Sequence, residues 1–173
     1  VLFAGKLTAR KKSDVLLSAW KQADWDDHQR PALVFVGDGE LKQSLMSEVE
    51  QISNRRDVYF TGFRNQTELP AIYKAADVFV LSSEKEPWGL AINEAMACGT
   101  AVIASDQCGA VFDLVDDETG VVVKAGDAAD LAAALSKALE RSDKMGQAAK
   151  RRISNWDFEA DVAGLKAALE YVL

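Results

Sequence analysis

Residues 78–99 read VFVLSSEKEPWGLAINEAMACG, and this stretch decides the fold class. Its first four residues, Val78–Leu81, form the short apolar run that is typical of a buried strand. A polar turn follows, and residues 90–96 then have the composition of a helix. The stretch therefore predicts a strand that passes through a turn into a helix.

The same alternation of short apolar runs and helical patterns extends along the whole chain. Strands are predicted at residues 1–4, 32–36, 58–60, 78–81, 101–104 and 121–123. Helices are predicted at residues 13–23, 40–52, 68–75, 90–96, 130–140, 144–153 and 157–173. Because helices between strands are crossover connections, the strands should be parallel, and their nearly continuous apolar character suits burial on both faces. We expect an α/β fold, a Rossmann-like parallel sheet of about six strands with helices on both faces.

Composition limits the class of partner. The chain has 173 residues, which suits one domain, taken here as residues 1–173. Its 27 acidic and 20 basic side chains give a net charge of −7, which argues against binding to nucleic acid or to an anionic membrane surface. No apolar run approaches the roughly 18–20 residues of a transmembrane helix. The two cysteines, Cys98 and Cys108, form no disulfide framework, so we predict a cytoplasmic protein.

Three glycines follow predicted strands closely: Gly5, Gly37 and Gly62. Each alone is explained by an ordinary turn at the end of a strand. Ligands of open parallel sheets bind beyond the carboxyl ends of the strands, however, and all three glycines fall at that edge. Their shared position indicates a binding edge.

The turn before the helix at residues 90–96 has the features of an anion site. Pro87 suits a first helical turn, and the amides of Trp88, Gly89 and Leu90 would then point out of the helix N-terminus, where a diphosphate can bind. Glu94 lies roughly 7–8 Å further along the helix, a separation that suits a carboxylate bound to ribose hydroxyls. Two glutamates alone are more simply explained by a first-turn acid at Glu86 and a solvated helix residue at Glu94.

The residues around the two glutamates favour a binding site for a diphosphate and a ribose, because they resemble the retaining GT-B glycosyltransferases of group 1. Glu86 and Glu94, with Gly89 between them and Ala-Met-Ala-Cys-Gly after them, are similar to that family's Glu-x7-Glu motif. The resemblance continues in order along the chain, through Gly5-Lys6-Leu7, Phe35-Val36-Gly37-Asp38-Gly39, Val58-x-Phe60-x-Gly62, Tyr73-x-x-Ala76-Asp77 and Thr119-Gly120.

The resemblance implies a role for each matching residue. Glu86 matches the catalytic glutamate beside the transferred sugar, and Glu94 matches the glutamate that binds the nucleotide ribose. Gly89 and Leu90 match the residues whose amides hold the diphosphate, and Trp88 lies beside them with a ring that suits packing.

Two more groups of donor-binding residues follow from the same resemblance. Lys6 and Lys11 match the basic residues of the first loop that contact the diphosphate, and Lys12 stands where the family often has glycine. Phe63 and Arg64 fall where the family's backbone lies against the base. Gly5 and Gly37 complete the predicted donor site.

The implied activity is retaining glycosyl transfer from a nucleotide sugar, such as a UDP-, GDP- or ADP-sugar, without a metal ion or other cofactor. The chain begins with a strand pattern and no methionine, so we expect it to be the C-terminal half of a two-domain enzyme, inactive when isolated. The absent N-terminal domain would bind the acceptor saccharide, lipid or small molecule, and any peripheral contact with a membrane would also come from it. His28, in a polar stretch, has no expected catalytic role.

Other classes of function remain open. A GT-B-related nucleotide-sugar epimerase would share the fold, and a nucleotide- or phosphate-binding module would share the anion site without transfer chemistry. A dinucleotide-dependent oxidoreductase would need a GxGxxG turn, whereas Gly37-x-Gly39 lacks the third glycine.

Overall fold

The centre of the molecule is a parallel sheet of six strands. The structure is a computed structural model, and it describes residues 1–25, 30–51 and 57–172. The strands are β1 (Leu2–Ala4), β2 (Leu33–Val36), β3 (Val58–Gly62), β4 (Val78–Leu81), β5 (Ala101–Ser105) and β6 (Gly120–Val123). Their order across the sheet is β3-β2-β1-β4-β5-β6, and every neighbouring pair is parallel. This is the strand order of the doubly wound nucleotide-binding folds, so the predicted fold class is confirmed.

Eight α-helices are described, and a short 3₁₀ helix, Ala9–Lys11, precedes them. They are α1 (Ser13–Gln22), α2 (Lys42–Glu50), α3 (Leu69–Lys74), α4 (Leu90–Ala97), α5 (Val111–Leu114), α6 (Ala128–Glu140), α7 (Ser142–Ile153) and α8 (Phe158–Val172). The predicted helices agree within two residues, except that two predicted ends, Ile52 of the second helix and Leu173 of the last, lie outside the described residues. The four-residue helix α5 was not predicted, because it is too short to show a periodicity.

Helix α6 begins two residues earlier than its apolar periodicity predicts. The side chain of Asp127 accepts hydrogen bonds from the amides of Ala129 and Asp130, at 3.1 Å each, and so caps the first turn. Further along the helix, Leu131 and Leu135 are buried and Leu139 packs against the core, which gives α6 the predicted apolar face.

The sheet has a hydrophobic core on each face. Consecutive strand residues point to opposite faces, so Phe3 belongs to the core beneath α1, α2 and α6, whereas Leu2 belongs to the core beneath α3, α4 and α7. Trp20 is the largest side chain that is fully buried, and it lies in the first core. Burial on both faces explains why the strands are continuous apolar runs rather than alternating ones.

Helix α8 differs from the other helices in its exposure. All of its residues from Phe158 to Tyr171 are exposed, including the large side chains of Phe158 (88%), Leu165 (63%) and Tyr171 (90%). No helix in the described part of the chain has the length and apolar character needed to cross a membrane.

Candidate functional site

A cleft of about 900 Å³ opens at the carboxyl ends of β1 and β2, next to the start of α4. Its position is the one that the strand order favours, because the chain changes direction across the sheet between β1 and β4. The cleft brings together seven of the eleven predicted site residues: Gly5, Lys6, Lys11, Gly37, Phe63, Arg64 and Glu94. Of the other four, Glu86, Trp88 and Gly89 lie in the turn that leads into α4, and Leu90 is the first residue of that helix.

A second groove, of about 630 Å³, lies between α3 and the ends of β1 and β2. Most of its walls are apolar, with Leu2, Val34 and Ile72 among them, and of the predicted site residues it contains Arg64 alone. The predicted chemistry therefore lies in the first cleft.

The turns that follow the first three strands contact one another through their backbones. The amide of Gly5 donates to the carbonyl of Val36, and the amide of Gly37 donates to the carbonyl of Gly62, both at 2.9 Å. A Cβ atom at position 37 would lie 1.9 Å from the carbonyl oxygen of Gly5, so only glycine fits there. The three glycine turns thus form one continuous rim.

The adjacent residues Lys11 and Lys12 of the first loop have different partners. Lys11 forms an ion pair with Glu86, and these side chains are only 18% and 14% exposed. Lys12 has a left-handed conformation (φ 52°), which glycine adopts with less strain, and its ammonium lies 3.1 Å from the exposed Glu84. Of the two, therefore, Lys11 is the lysine that lines the cleft.

The basic loop is held against the turn after β4 by backbone contacts. The hydroxyl of Ser82, which is buried, donates to the carbonyls of Lys11 and Lys12 at 3.2 and 2.9 Å. The amide of Glu84 donates to the carbonyl of Arg10 at 2.8 Å. The sequence predicted no role for Ser82. Its position directly after a buried strand could have indicated that its hydroxyl makes a polar contact.

Glu86 lies in an extended segment before the helix. Its amide donates to the carbonyl of Gln107, and its carbonyl accepts from the amide of Gly109, at 3.0 Å each. The turn after β5 therefore holds this segment in a parallel bridge, Glu86 with Cys108. Since α4 begins only at Leu90, the interpretation of Glu86 as a first-turn acid is wrong.

Helix α4 begins at Leu90, the predicted residue, but the turn before it differs from the sequence expectation. Gly89 is the N-cap, with φ 101°, so Pro87 precedes the helix rather than occupying its first turn. The first amides of the helix, beginning at Leu90, have no partners within the helix and remain suited to an anion. The anion site is thus shifted towards Leu90 and Ala91, and Ala91 lines the cleft.

The side chain of Trp88 packs away from the cleft. Its indole nitrogen donates to the Oδ1 atom of Asn93 at 2.9 Å, and its ring lies 5.8 Å from that of Trp156. The ring also contacts the second core. A contact of Trp88 with a donor would therefore involve its backbone.

Glu94 has a partner that sequence reasoning missed. The hydroxyl of Tyr73, a residue that is only 2% exposed, donates to the Oε2 atom of Glu94 at 2.9 Å. Burial raises the pKa of the Tyr73 phenol, and the charge of Glu94 raises it further, so the phenol remains a hydrogen-bond donor. Tyr73 was visible in the sequence only as part of the family resemblance.

At the other end of the cleft, Phe63 and Arg64 form an open wall. The ring of Phe63 is 78% exposed, and Arg64 pairs with Glu68 at 3.3 Å on the surface. The cleft is thus acidic and polar near α4, basic at the first loop, and aromatic at its outer edge.

Within the described residues, no group of three or more His, Cys, Asp and Glu side chains is placed to hold a metal ion. The absence of a metal requirement stays a prediction. Cys98 and Cys108 are free thiols, and His28 lies outside the described residues.

Fold and cleft together define a class: a doubly wound α/β domain with a basic loop and a helix N-terminus at the point where the strand order reverses. Residues 1–154 match the family described as glycosyl transferases group 1, and the chain belongs to this family. The family predicted from the Glu-x7-Glu segment is therefore confirmed.

Individual relatives agree with this assignment. The chain is 31% identical over 174 residues to a D-inositol 3-phosphate glycosyltransferase of Corynebacterium aurimucosum, with 96% of the chain and 41% of that protein covered. It spans 30–42% of the length of the first curated relatives that it matches.

Solved structures share the fold. The C-terminal domain of LpcC, a group 1 family protein of Francisella tularensis, is 26% identical with a TM-score of 0.78, and the match covers 89% of this chain and 83% of that one. Anabaena HepE in complex with UDP is 24% identical with a TM-score of 0.77, over 99% of this chain and 48% of HepE.

Proposed function

We propose that this domain binds the nucleotide-sugar donor of a retaining glycosyltransferase that needs no metal ion. The observation that carries the proposal is the convergence of Lys11, Glu86, the N-terminus of α4 and Glu94 around one cleft. Lys11 lies in the loop after β1, whereas the other groups lie in α4 or in the turn before it. These two regions are far apart in the sequence, and the strand order brings them together.

The arrangement suits the three parts of a nucleotide sugar. Lys6, Lys11 and the first amides of α4 would hold the diphosphate, because cations and a helix N-terminus both stabilise negative charge. Glu94, further along α4, would accept hydrogen bonds from the ribose. Phe63 and Arg64 would lie beside the base. The UDP complex of HepE supports the choice of ligand, since that protein has the same fold.

In the proposed reaction, the bond between the anomeric carbon and the diphosphate oxygen breaks. The hydroxyl oxygen of the acceptor bonds to the same face of that carbon, and the proton of the hydroxyl leaves with the nucleoside diphosphate. Lys6, Lys11 and the amides of α4 stabilise the charge that develops on the departing diphosphate, which is the main catalytic contribution of this domain. Glu86 lies beside the sugar and stabilises the positive charge that develops there.

We also propose that the acceptor site belongs to an N-terminal domain, so that residues 1–173 bind donor without completing a reaction. The fraction of the relatives that the chain spans supports this, as does its similarity to a C-terminal domain of LpcC. The acceptor is a saccharide, lipid or small molecule. The free thiols Cys98 and Cys108 fit a cytoplasmic location.

The proposal is tested by calorimetric titration of the chain with UDP, GDP and ADP, for the wild type and for Lys11→Ala and Glu94→Ala. A charge-assisted hydrogen bond contributes about 1.5–3 kcal/mol, so each substitution should weaken binding about tenfold or more. Lys21→Ala and Glu48→Ala are matched controls, because those two residues pair with each other on the surface outside the cleft.

Selective binding of one nucleotide, weakened in both cleft variants and in neither control, is the expected result. The donor assignment is wrong if no nucleotide binds at millimolar concentration to either the chain or the whole protein. Binding by the whole protein without transfer of a sugar to any acceptor would instead favour a binding module.

A further inference from the structure

The hydroxyl of Tyr73 is a buried donor whose partner is an exposed carboxylate at the cleft. Tyr73 lies on α3, and its hydroxyl donates a hydrogen bond of 2.9 Å to Glu94 on α4. Both residues line the cleft. The bond therefore joins a side chain that is fixed by the core to one that faces the proposed ligand.

Tyr73 is fixed at both its ring and its backbone. Its ring packs edge to face against Phe79 of β4, with the ring centres 5.4 Å apart and the planes at 83°. Its carbonyl oxygen accepts a hydrogen bond of 2.7 Å from the buried hydroxyl of Thr100. The phenol oxygen thus has a defined position relative to α4.

Glu94 lacks such support of its own. It is exposed on α4, and a glutamate in that setting samples many rotamers, which a ligand would have to restrict on binding. The bond from Tyr73 engages Oε2. Oε1 takes no part in that bond and would accept a hydrogen bond from a ligand. A carboxylate that is already oriented loses less entropy when it accepts a ligand hydroxyl.

We infer that Tyr73 is a positioning residue, which holds Glu94 in the orientation that accepts the ribose hydroxyls of the donor. This inference rests on the proposed function, because it assumes that Glu94 binds the ribose. It assigns no contact between Tyr73 and the donor; the effect of Tyr73 passes through Glu94.

A purely structural role for Tyr73 predicts different behaviour. If the hydroxyl only tied α3 to α4, its removal would weaken the packing of α3 and reduce the affinity for every ligand of the cleft alike. A positioning role predicts that the loss depends on Glu94 and on the ribose hydroxyls.

The test is calorimetry with the nucleoside diphosphate that binds best, and with its 2′,3′-dideoxy form. Tyr73→Phe keeps the ring and removes the hydroxyl. We expect it to weaken binding of the parent nucleotide about three- to tenfold, the range of one hydrogen bond. Binding of the dideoxy nucleotide, and binding by a Glu94→Ala variant, should be unchanged by Tyr73→Phe.

When Glu94 is replaced by glutamine, the same Tyr73→Phe change should raise the nucleotide affinity instead of lowering it. In Glu94→Gln, the donating Tyr73 requires the amide oxygen on its own side, which directs the NH₂ group at the ribose. Adding Tyr73→Phe frees the amide to turn over, and we expect part of the lost affinity to return. Urea unfolding of each variant measures any loss of folded protein separately.

The possible outcomes separate this inference from the proposed function. If Glu94→Ala weakens binding and Tyr73→Phe does not, the inference is overturned and the donor site stands. Equal losses for the parent and dideoxy nucleotides overturn it as well, because they indicate a structural role. If Glu94→Ala has no effect, the ribose assignment fails, and the inference fails with it.

Discussion

Two opposite charges with little exposure to water meet at the cleft, Lys11 and Glu86. Charges that are shielded from water interact more strongly than charges on the surface, so a change in either residue should affect the other. In the proposed complex, the ammonium of Lys11 has two competing anions, the carboxylate of Glu86 and the diphosphate. The two functions assigned to these residues are therefore coupled.

Replacement of Glu86 by glutamine should separate binding from transfer. The change removes a negative charge near the proposed diphosphate and releases Lys11, so the affinity for a nucleoside diphosphate should rise by about 1 kcal/mol, or roughly fivefold. Sugar transfer by the whole protein should be lost. Glu84→Gln is the matched control, because Glu84 is exposed and pairs with Lys12. Weaker nucleotide binding by the Glu86→Gln variant would contradict the assigned geometry.

At the scale of the elements, α7 packs closely against the turn after α4. Gly146 of α7 is buried, and a Cβ atom there would lie 2.1 Å from the carbonyl oxygen of Gly99. The helix can approach the turn so closely only because position 146 has no side chain. Gly164 of α8, by contrast, has open space around it.

The two helix glycines should respond oppositely to alanine. Alanine is the better helix former, yet Gly146→Ala should lower the free energy of unfolding by about 1–3 kcal/mol because α7 must move. Gly164→Ala should raise the helicity of α8 without lowering that free energy. Urea unfolding followed by circular dichroism measures both effects. A Gly146→Ala variant as stable as the wild type would show that α7 does not pack as described.

A second link joins α7 to the turn before β6. Arg152 lies 2.6 Å from Asp116, which also accepts hydrogen bonds from the amides of Glu118 and Thr119. Partial burial raises the pKa of Asp116, but these bonds outweigh it and hold the pKa below its ordinary value of 3.8. The carboxylate therefore favours the folded state above that value.

The link should be visible in acid unfolding. Because the pKa of Asp116 is lower in the folded state, its contribution is present above about pH 4 and is lost as the pH falls through the folded pKa. Arg152→Gln should reduce the decline in the free energy of unfolding between about pH 4 and 2. Arg151→Gln removes the same charge from a neighbouring exposed position and should leave the decline unchanged. Identical acid profiles for the two variants would rule out the link.

At the scale of the whole molecule, the domain divides into a packed body and an exposed helix. The sheet and helices α1 to α7 enclose the two cores, whereas α8 presents large apolar side chains, including Phe158 and Leu165, to solvent. Trp156, before α8, still contacts Trp88. Stability and nucleotide binding should therefore depend on residues 1–157.

A chain ending at Asp157 tests this division. Since α8 buries little, its removal should change the free energy of unfolding by less than about 1 kcal/mol and leave nucleotide affinity unaltered. Calorimetry and urea unfolding of the two chains give the comparison. A large loss of stability would mean that α8 packs on the body of the domain in solution.

Much of the architecture follows from local sequence. The six strands and seven of the eight described helices are recognisable because apolar runs and helical periodicity are properties of neighbouring residues. The roles of Lys11, Glu86 and Glu94 came from the family resemblance rather than from periodicity, since each of these residues is unremarkable alone. Pro87 was wrongly placed in the first turn of α4 because proline is equally compatible with a first helical turn and with an extended segment.

By itself, therefore, the sequence determined the α/β class, the parallel sheet and the family. Only the tertiary structure decided that β1 lies next to β4, which brings the loop of Lys11 against the turn of Glu86. It also decided that Tyr73 supports Glu94, and that the turn after β5 holds Glu86 outside the helix. These contacts join residues distant in the sequence, and they depend on how the elements pack, which the local pattern of each element does not encode.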